Sequence, residues 1–301
     1  MSEQTAATPK TEEMASPFSS LIIPFATVHL LAFAAPLIAH CSWKLAGLAL
    51  GVYYARMAAI TIGYHRYFAH KTFRTSRAFQ FVLAFLSQTS MQRGVLWWSA
   101  HHRDHHRYSD TEKDVHSPMR GIFWSHVGWI LSSEHTAFDE SRIKDLMKYP
   151  ELRWLNTWHL VPPAALGVAL FLVGGWDYLV WGLFVSTVML WHGTFLVNSL
   201  NHLWGTRRYA TTDTSRNNPL IAVLTMGEGW HNNHHYYQSS ANQGFRWWEI
   251  DGSFYLIRLF QLVGLVWDVR TAPRKIVENT IKAAAQRGER VMPIGPMLEA
   301  D

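Results

Sequence analysis

Histidine is the residue this sequence deploys unusually. Of 301 residues 17 are His, and ten of them crowd into four short groups. These read His65-Arg-Tyr-Phe-Ala-His70, His101-His102-Arg-Asp104-His105-His106, Asn198-Ser-Leu-Asn-His202 and His231-Asn-Asn-His234-His235. Neutral imidazole is the commonest metal ligand among side chains. On a helix, His102 and His106 share a face with His105 beside them, because residues three and four apart are neighbours. His231, His234 and His235 repeat that spacing, and Asn198 and His202 are also one turn apart. His65 and His70 are five apart, so a regular helix would point them in different directions. Consecutive His105 and His106 are turned about 100° from each other. One ion would struggle to use both, whereas two ions side by side could. Nine imidazoles (His65, His70, His102, His105, His106, His202, His231, His234 and His235) exceed the six positions of one octahedral ion. Two metals are therefore expected, with zinc, copper, iron and nickel all chemically open.

Carboxylates near these groups are too few to be the ligands. Glu228-Gly-Trp-His231 is a single acidic-x-x-His step, where ferritin-like carboxylate sites use two. Asp104, Asp110, Asp114 and Glu228 are expected to orient ligating imidazoles instead. His101, His116 and His126 are expected as hydrogen-bonding neighbours of the ligands. His29, His40, His159 and His192 lie in or beside apolar runs, where packing or interfacial roles are the ordinary expectation.

The elements that must hold these groups read as membrane helices. Residues 19–40 contain no charge, and residues 45–63 contain one, Arg56. Further apolar runs cover 155–175 and 178–197, and about 20 residues suffice to span a bilayer. An all-α integral membrane protein is expected, with four transmembrane helices in two hairpins. The polar connectors 64–154 and 200–270 then share one side and form a helical cap over the dimetal site. They hold most of the Lys and Arg, which places cap and both termini in the cytoplasm. Arg56 is expensive in lipid and should face protein, water or a site. Residues 79–86 are too short to span and suggest a buried or interfacial helix. Residues 254–267 read as amphipathic, with Tyr255, Leu259, Leu262 and Val266 on one face. Residues 1–18 form a polar tail without the pattern of a cleaved signal, and 271–301 a basic one. The single cysteine, Cys41, precludes an internal disulfide or cysteine-based cluster. A net charge of +5 comes from scattered basic residues, so no nucleic-acid surface is expected.

Together these boxes resemble those of membrane fatty-acid desaturases, in the delta-9, stearoyl-CoA-desaturase-like branch. The segments Arg120-Gly-Ile-Phe-Trp-Ser-His-Val-Gly-Trp129, Leu196-Val-Asn198-Ser-Leu-Asn-His202-Leu-Trp-Gly205 and Arg246-Trp-Trp-Glu-Ile-Asp251 look like that family too. The resemblance implies two irons, with the nine histidines as direct ligands and Asn198 holding one iron through water. It implies dioxygen as co-substrate and a cis double bond placed in a saturated acyl chain. Electrons would come from an outside ferredoxin, rubredoxin or b-type cytochrome with its reductase. A bent tunnel would fix the reacting carbons, with Tyr53 and Met57 near its closed end, Thr61 one turn above, and Trp98 as a wall. Met57 is bulky where relatives for longer chains can carry a small residue, so a sixteen-carbon chain is expected. The basic pairs that meet CoA phosphates in animal members are replaced here by Ser132-Ser133-Glu134 and Ala100-His101. Acyl-CoA and acyl-lipid substrates both stay open, with acyl-CoA slightly ahead. The last box has the form of bacterial and plant members, and a bacterial inner membrane is expected. A membrane hydroxylase and a metal transporter are the alternatives.

Overall fold

The computed structural model describes residues 22–287 and is mostly helical. Two stretches are long and apolar enough to cross a membrane, Trp43–Ala69 and Val161–Leu203, and Ile22–Phe33 is a shorter apolar helix. The 43 residues Val161–Leu203 do not form one straight rod. The helix breaks at Gly174 and Gly175, where Gly175 has φ +65, a conformation costly for residues with a Cβ. Beyond the break the chain folds back on itself. A Cβ on Gly167 would touch Leu183, and one on Gly182 would sit 2.9 Å from Leu170. The two glycines let these antiparallel helices approach closely, as small residues do between membrane helices. At the same end, His40 donates to Asp177 at 2.8 Å and the Trp176 indole donates to the Ile38 carbonyl, tying both helix turns together.

Some boundaries differ from the sequence reading. The third apolar run does not start helically at 155. Leu155 belongs to a separate helix, Pro150–Thr157, and is buried in the main core. The next helix begins at Val161, with prolines in its first turn, where a missing N–H costs nothing. The helix over 254–267 is shorter, Gly252–Leu262, capped by the Asp251 carboxylate accepting from Phe254 N. Val266 is not on its apolar face. It pairs with Thr75 in a two-stranded antiparallel ladder and is buried. Residues 79–86 lie within a helix, Arg77–Gln88, as expected of a non-spanning segment. The polar tail 1–18 lies outside the described residues, as do residues 288–301 of the basic one.

Two features of the fold aim the histidines. The helix Trp43–Ala59 continues to Ala69 in wider turns, and His70 N–H reaches back five residues to the His65 carbonyl at 3.1 Å. Such widening, often found at functional sites, swings His65 and His70 onto one side. Their ring centres are 4.8 Å apart. The helix Val95–Tyr108 has no capping side chain of its own. Asn156 Oδ1 accepts from Leu96 N and Trp97 N, and Gln88 Oε1 from Val95 N. Distant residues thus satisfy its orphan amides and fix its position.

Candidate metal centre

The nine clustered histidines converge in two groups. His65, His70, His102, His106 and His234 each offer a nitrogen within 4.8 Å of the others, and so do His105, His202, His231 and His235. His105 and His106, adjacent in sequence, go to different groups, as their angular offset requires.

The nitrogens form a shell rather than a hydrogen-bonded network. Nε2 of His234 lies 3.0 Å from Nε2 of both His65 and His106, and His102 Nε2 lies 3.0 Å from His106 and 2.9 Å from His70. A ring nitrogen carries one hydrogen or one lone pair in the ring plane, so it cannot serve two such neighbours. Donors about 2.1 Å from a shared ion would stand roughly 3.0 Å apart at right angles and roughly 3.4 Å apart at tetrahedral angles. The observed 2.9–3.0 Å fits adjacent positions of an octahedral ion. In the second group His202 and His231 are 3.1 Å apart, and His235 Nε2 is buried without a hydrogen-bond partner. The residues present therefore fit two metal ions, five imidazoles for one and four for the other. Burial pushes His102, His106, His231 and His234 well below their ordinary value, so their lone pairs are free of protons.

Carboxylates grip the far sides of four rings. His65 Nδ1 is 2.5 Å from Glu228, His105 3.0 Å from Asp114, His202 2.9 Å from Asp110 and His235 2.7 Å from Asp213. A proton on Nδ1 points Nε2 inward as an electron pair, which sets the tautomer for binding. Burial alone would raise these carboxyls. The imidazoles outweigh it and hold Glu228 and Asp110 at about 2, and Asp114 and Asp213 well below the carboxylate range. Glu228, Asp110 and Asp114 stand where the sequence suggested. Asp104 does not: its carboxylate faces Arg142 at 2.5 Å, pointing away from the shell on the outer side of its helix. Asp213 lies in an irregular loop with no spacing to mark it. Arg66 was also missed. It is fully buried and bonds Glu228 at 3.0 Å, Asp251 at 2.9 Å and the Ala241 carbonyl at 2.8 Å. The two asparagines of the last box are anchors: Asn232 Oδ1 accepts from Arg208 N and Tyr209 N, and Asn233 Nδ2 donates to Gln243 O and Glu249.

Of the other histidines, His116 shares Asp114 with His105, at 3.7 Å. His101 instead bonds the Trp97 carbonyl, and His126 faces His192 and Ser199. Beside the metal groups lies a cavity of about 510 Å³, within the range of ligand pockets. Its lining runs from Phe25 and Met57 to His65, His102, His105 and His231, and includes Thr61, Trp98 and Asn198. Trp98 also stacks on His102, with ring centres 4.8 Å apart. Tyr53 does not line it; its hydroxyl bonds the Leu224 carbonyl behind the wall, next to Met57 and Gly193.

A model of the fatty acid desaturase family matches residues 41–258, the region that holds every clustered histidine. The chain belongs to the fatty acid desaturase family. Among similar proteins, the sn-1 stearoyl-lipid 9-desaturase of Synechocystis sp. is 36% identical over 91% of this chain and 87% of its own. The icosanoyl-CoA 5-desaturase of Limnanthes douglasii is 37% identical over 85% of this chain and 73% of its own. The chloroplastic palmitoyl-monogalactosyldiacylglycerol delta-7 desaturase of Arabidopsis thaliana is 36% identical over 81% of this chain, which spans 66% of that relative's length. Membership makes the protein an oxidoreductase associated with membranes, and both acyl-lipid and acyl-CoA enzymes stand among its relatives.

Proposed function

We propose that this protein is a membrane desaturase that places a cis double bond at the delta-9 position of a saturated acyl chain of about sixteen carbons. The observation that carries this reading is the apolar cavity ending on two groups of converging imidazoles. His65, His70, His102, His106 and His234 would hold one iron, and His105, His202, His231 and His235 the other, with Asn198 reaching the second through water. Bound iron supplies the activation of dioxygen that an unreactive methylene requires. The net change removes two hydrogens from adjacent carbons. With dioxygen, two electrons and two protons, it yields two waters.

The chain's own residues do the rest. Met57, Thr61 and Trp98 hold the acyl chain so that one pair of carbons meets the metal end. The aromatic wall of Trp97, Trp98 and Trp129 keeps bulk water from that end. Glu228, Asp114, Asp110 and Asp213 keep Nδ1 protonated on their histidines. Electrons would arrive from an external ferredoxin, rubredoxin or b-type cytochrome. The chain would cross a bacterial inner membrane four times, by 22–38, 43–69 and the two arms of 161–198, with the site and both termini cytoplasmic. The bias of Lys and Arg to the connectors supports that orientation. The carrier is open between CoA and lipid.

Expression in a host lacking unsaturated-fatty-acid synthesis, followed by fatty-acid analysis with double-bond location, tests the proposal. A product two hydrogens lighter at carbon nine is expected. A product heavier by one oxygen would make the protein a hydroxylase, and no change in any acyl chain would refute the reading.

A further inference from the structure

Among the residues that line the cavity, only Pro24 and Leu160 are exposed. Pro24 lies in the first turn of the apolar helix Ile22–Phe33, and Leu160 directly precedes the apolar helix that starts at Val161. Beside them Ile23, Trp158 and Val161 are exposed and apolar too. The cavity therefore opens sideways, at the level where two membrane helices begin.

Inside that rim stands one charged side chain without a partner. Arg93 is the sole Lys or Arg among the lining residues. Its Nε is buried with no hydrogen bond, and among the described residues no carboxylate pairs with its guanidinium. Burial holds it below its ordinary value, with nothing acidic to raise it. Burial and the Arg93 charge together hold His159 down, which puts that charge near the Leu160 edge. The turn carrying Arg93 is fixed. Met91 has φ 60 and Arg93 φ 66, while the Tyr64 hydroxyl donates to the Arg93 carbonyl at 2.8 Å and Gln92 Nε2 to Thr194 Oγ1 at 2.9 Å. Such a backbone persists only where its surroundings impose it. The guanidinium carbon lies 5.3 Å from the centre of the Trp97 ring.

We propose that Arg93 binds the phosphate of a membrane phospholipid whose acyl chain enters sideways between Pro24 and Leu160. The planar fork of a guanidinium matches phosphate oxygens, and an unpaired one costs least when an anion arrives. The direction of the acyl chain rests on the proposed desaturase reading. Arg93 stands just before the helix Val95–Tyr108, and His102 lies two turns along it, about 10 Å down the axis. A lipid held by its head beside Arg93 would thus meet the metals part-way along its chain and not at its ester.

A CoA carrier offers the same phosphate chemistry from the water side. There the cavity shares His101, Val115 and His135 with a second pocket of about 290 Å³. The charged residues of that pocket, apart from histidine, are Asp104, Asp139 and Lys113, and Arg142 is already bonded to both aspartates. Two carboxylates and one lysine make a poor seat for several phosphates, so the lipid source is favoured.

Binding, measured without turnover, tests this. Full-length, metal-loaded protein in detergent micelles is titrated with radiolabelled dipalmitoyl-phosphatidylglycerol, with dipalmitoylglycerol, which lacks the phosphate head, and with palmitoyl-CoA. Arg93→Gln should weaken phosphatidylglycerol about tenfold, the loss of one charge-assisted contact, and leave dipalmitoylglycerol within about twofold. Arg93→Lys, which keeps the charge, should recover most of that loss, and metal content per chain checks that both variants fold. The wild type gives an arm free of substitutions: rising salt should erode its preference for phosphatidylglycerol over dipalmitoylglycerol. A preference that salt does not touch, or an Arg93→Gln loss that is absent or equal for both lipids, overturns the phosphate contact. A loss confined to palmitoyl-CoA overturns the lipid source. Leu160→Trp, which narrows the opening, should slow phosphatidylglycerol binding several-fold, and an unchanged rate overturns the sideways entry. A protein that binds phospholipid through Arg93 yet desaturates nothing would refute the functional reading and leave the phosphate site standing.

Discussion

Replacing Asp213 should loosen one metal and leave the other in place. Its carboxylate accepts from His235 Nδ1 at 2.7 Å, while His235 Nε2 faces the four-histidine group with no other partner. Asn keeps the size and one acceptor oxygen but loses the charge. A hydrogen bond to a charged group contributes about 1.5–3 kcal/mol and a neutral one about 0.5–1.5 kcal/mol. Asp213→Asn should therefore cost about 1–2 kcal/mol of binding, or roughly tenfold in affinity. Asp213→Ala, which also frees the tautomer, should approach the upper end of the ~10–100-fold range seen when such partners are removed. Anaerobic ferrous titration against graded chelator, with metal counted per chain, reads both ions. One should leave earlier in the Asp213 variants and the other at the wild-type concentration. Glu228→Gln should do the reverse, because Glu228 holds His65 of the five-histidine group. If both ions leave together in either variant, or if both variants loosen the same ion, the division into two independent shells is wrong.

Other perturbations probe the frame around the site. Met57→Ala should shift the product distribution toward longer acyl chains, because Met57 lines the cavity; an unchanged distribution on gas chromatography would remove it from chain-length selection. Arg66→Met should destabilise the fold by about 3–5 kcal/mol, since it strands the buried carboxylates of Glu228 and Asp251. Arg56→Met should cost at least about 2 kcal/mol less, because buried Arg56 bonds only Ser186, Thr187 and the Thr89 carbonyl and leaves no charge behind; thermal unfolding of both variants in one detergent compares them. Glu228 and Asp110 are held at about 2, below ordinary values of 4.5 and 3.8. Their stabilisation should therefore be complete above about pH 5 and lost as pH falls toward 2. A melting temperature of the metal-free protein that stays flat from pH 5 to 2 would contradict those values.

The sequence alone marked which side chains could hold a metal and raised the expectation of more than one ion. Imidazoles at intervals of three and four share a helix face wherever that helix lies, and an adjacent pair diverges by about 100°. Those rules depend only on local geometry, so the split between His105 and His106 could be read before any coordinates. Apolar runs likewise marked the long helices, because the cost of unpaired backbone in lipid leaves few alternatives. Three of the four carboxylate partners were legible because a ligating imidazole needs an acceptor and Asp110, Asp114 and Glu228 lie near the boxes in sequence.

Tertiary structure decided what depends on distant segments meeting. Asp213 reaches His235 from an irregular loop, while Asp104, embedded in its box, points outward to Arg142. No spacing rule distinguishes those two aspartates, since each partner comes from elsewhere in the chain. His65 and His70 were a mismatch for a regular helix until the widened turns after Ala59 brought them together. His29 meets His192, 163 positions away, at 3.1 Å, where the sequence showed two unrelated histidines in apolar runs. Local periodicity fixes direction along one element, but only packing fixes which elements face one another, and that is where this site is made.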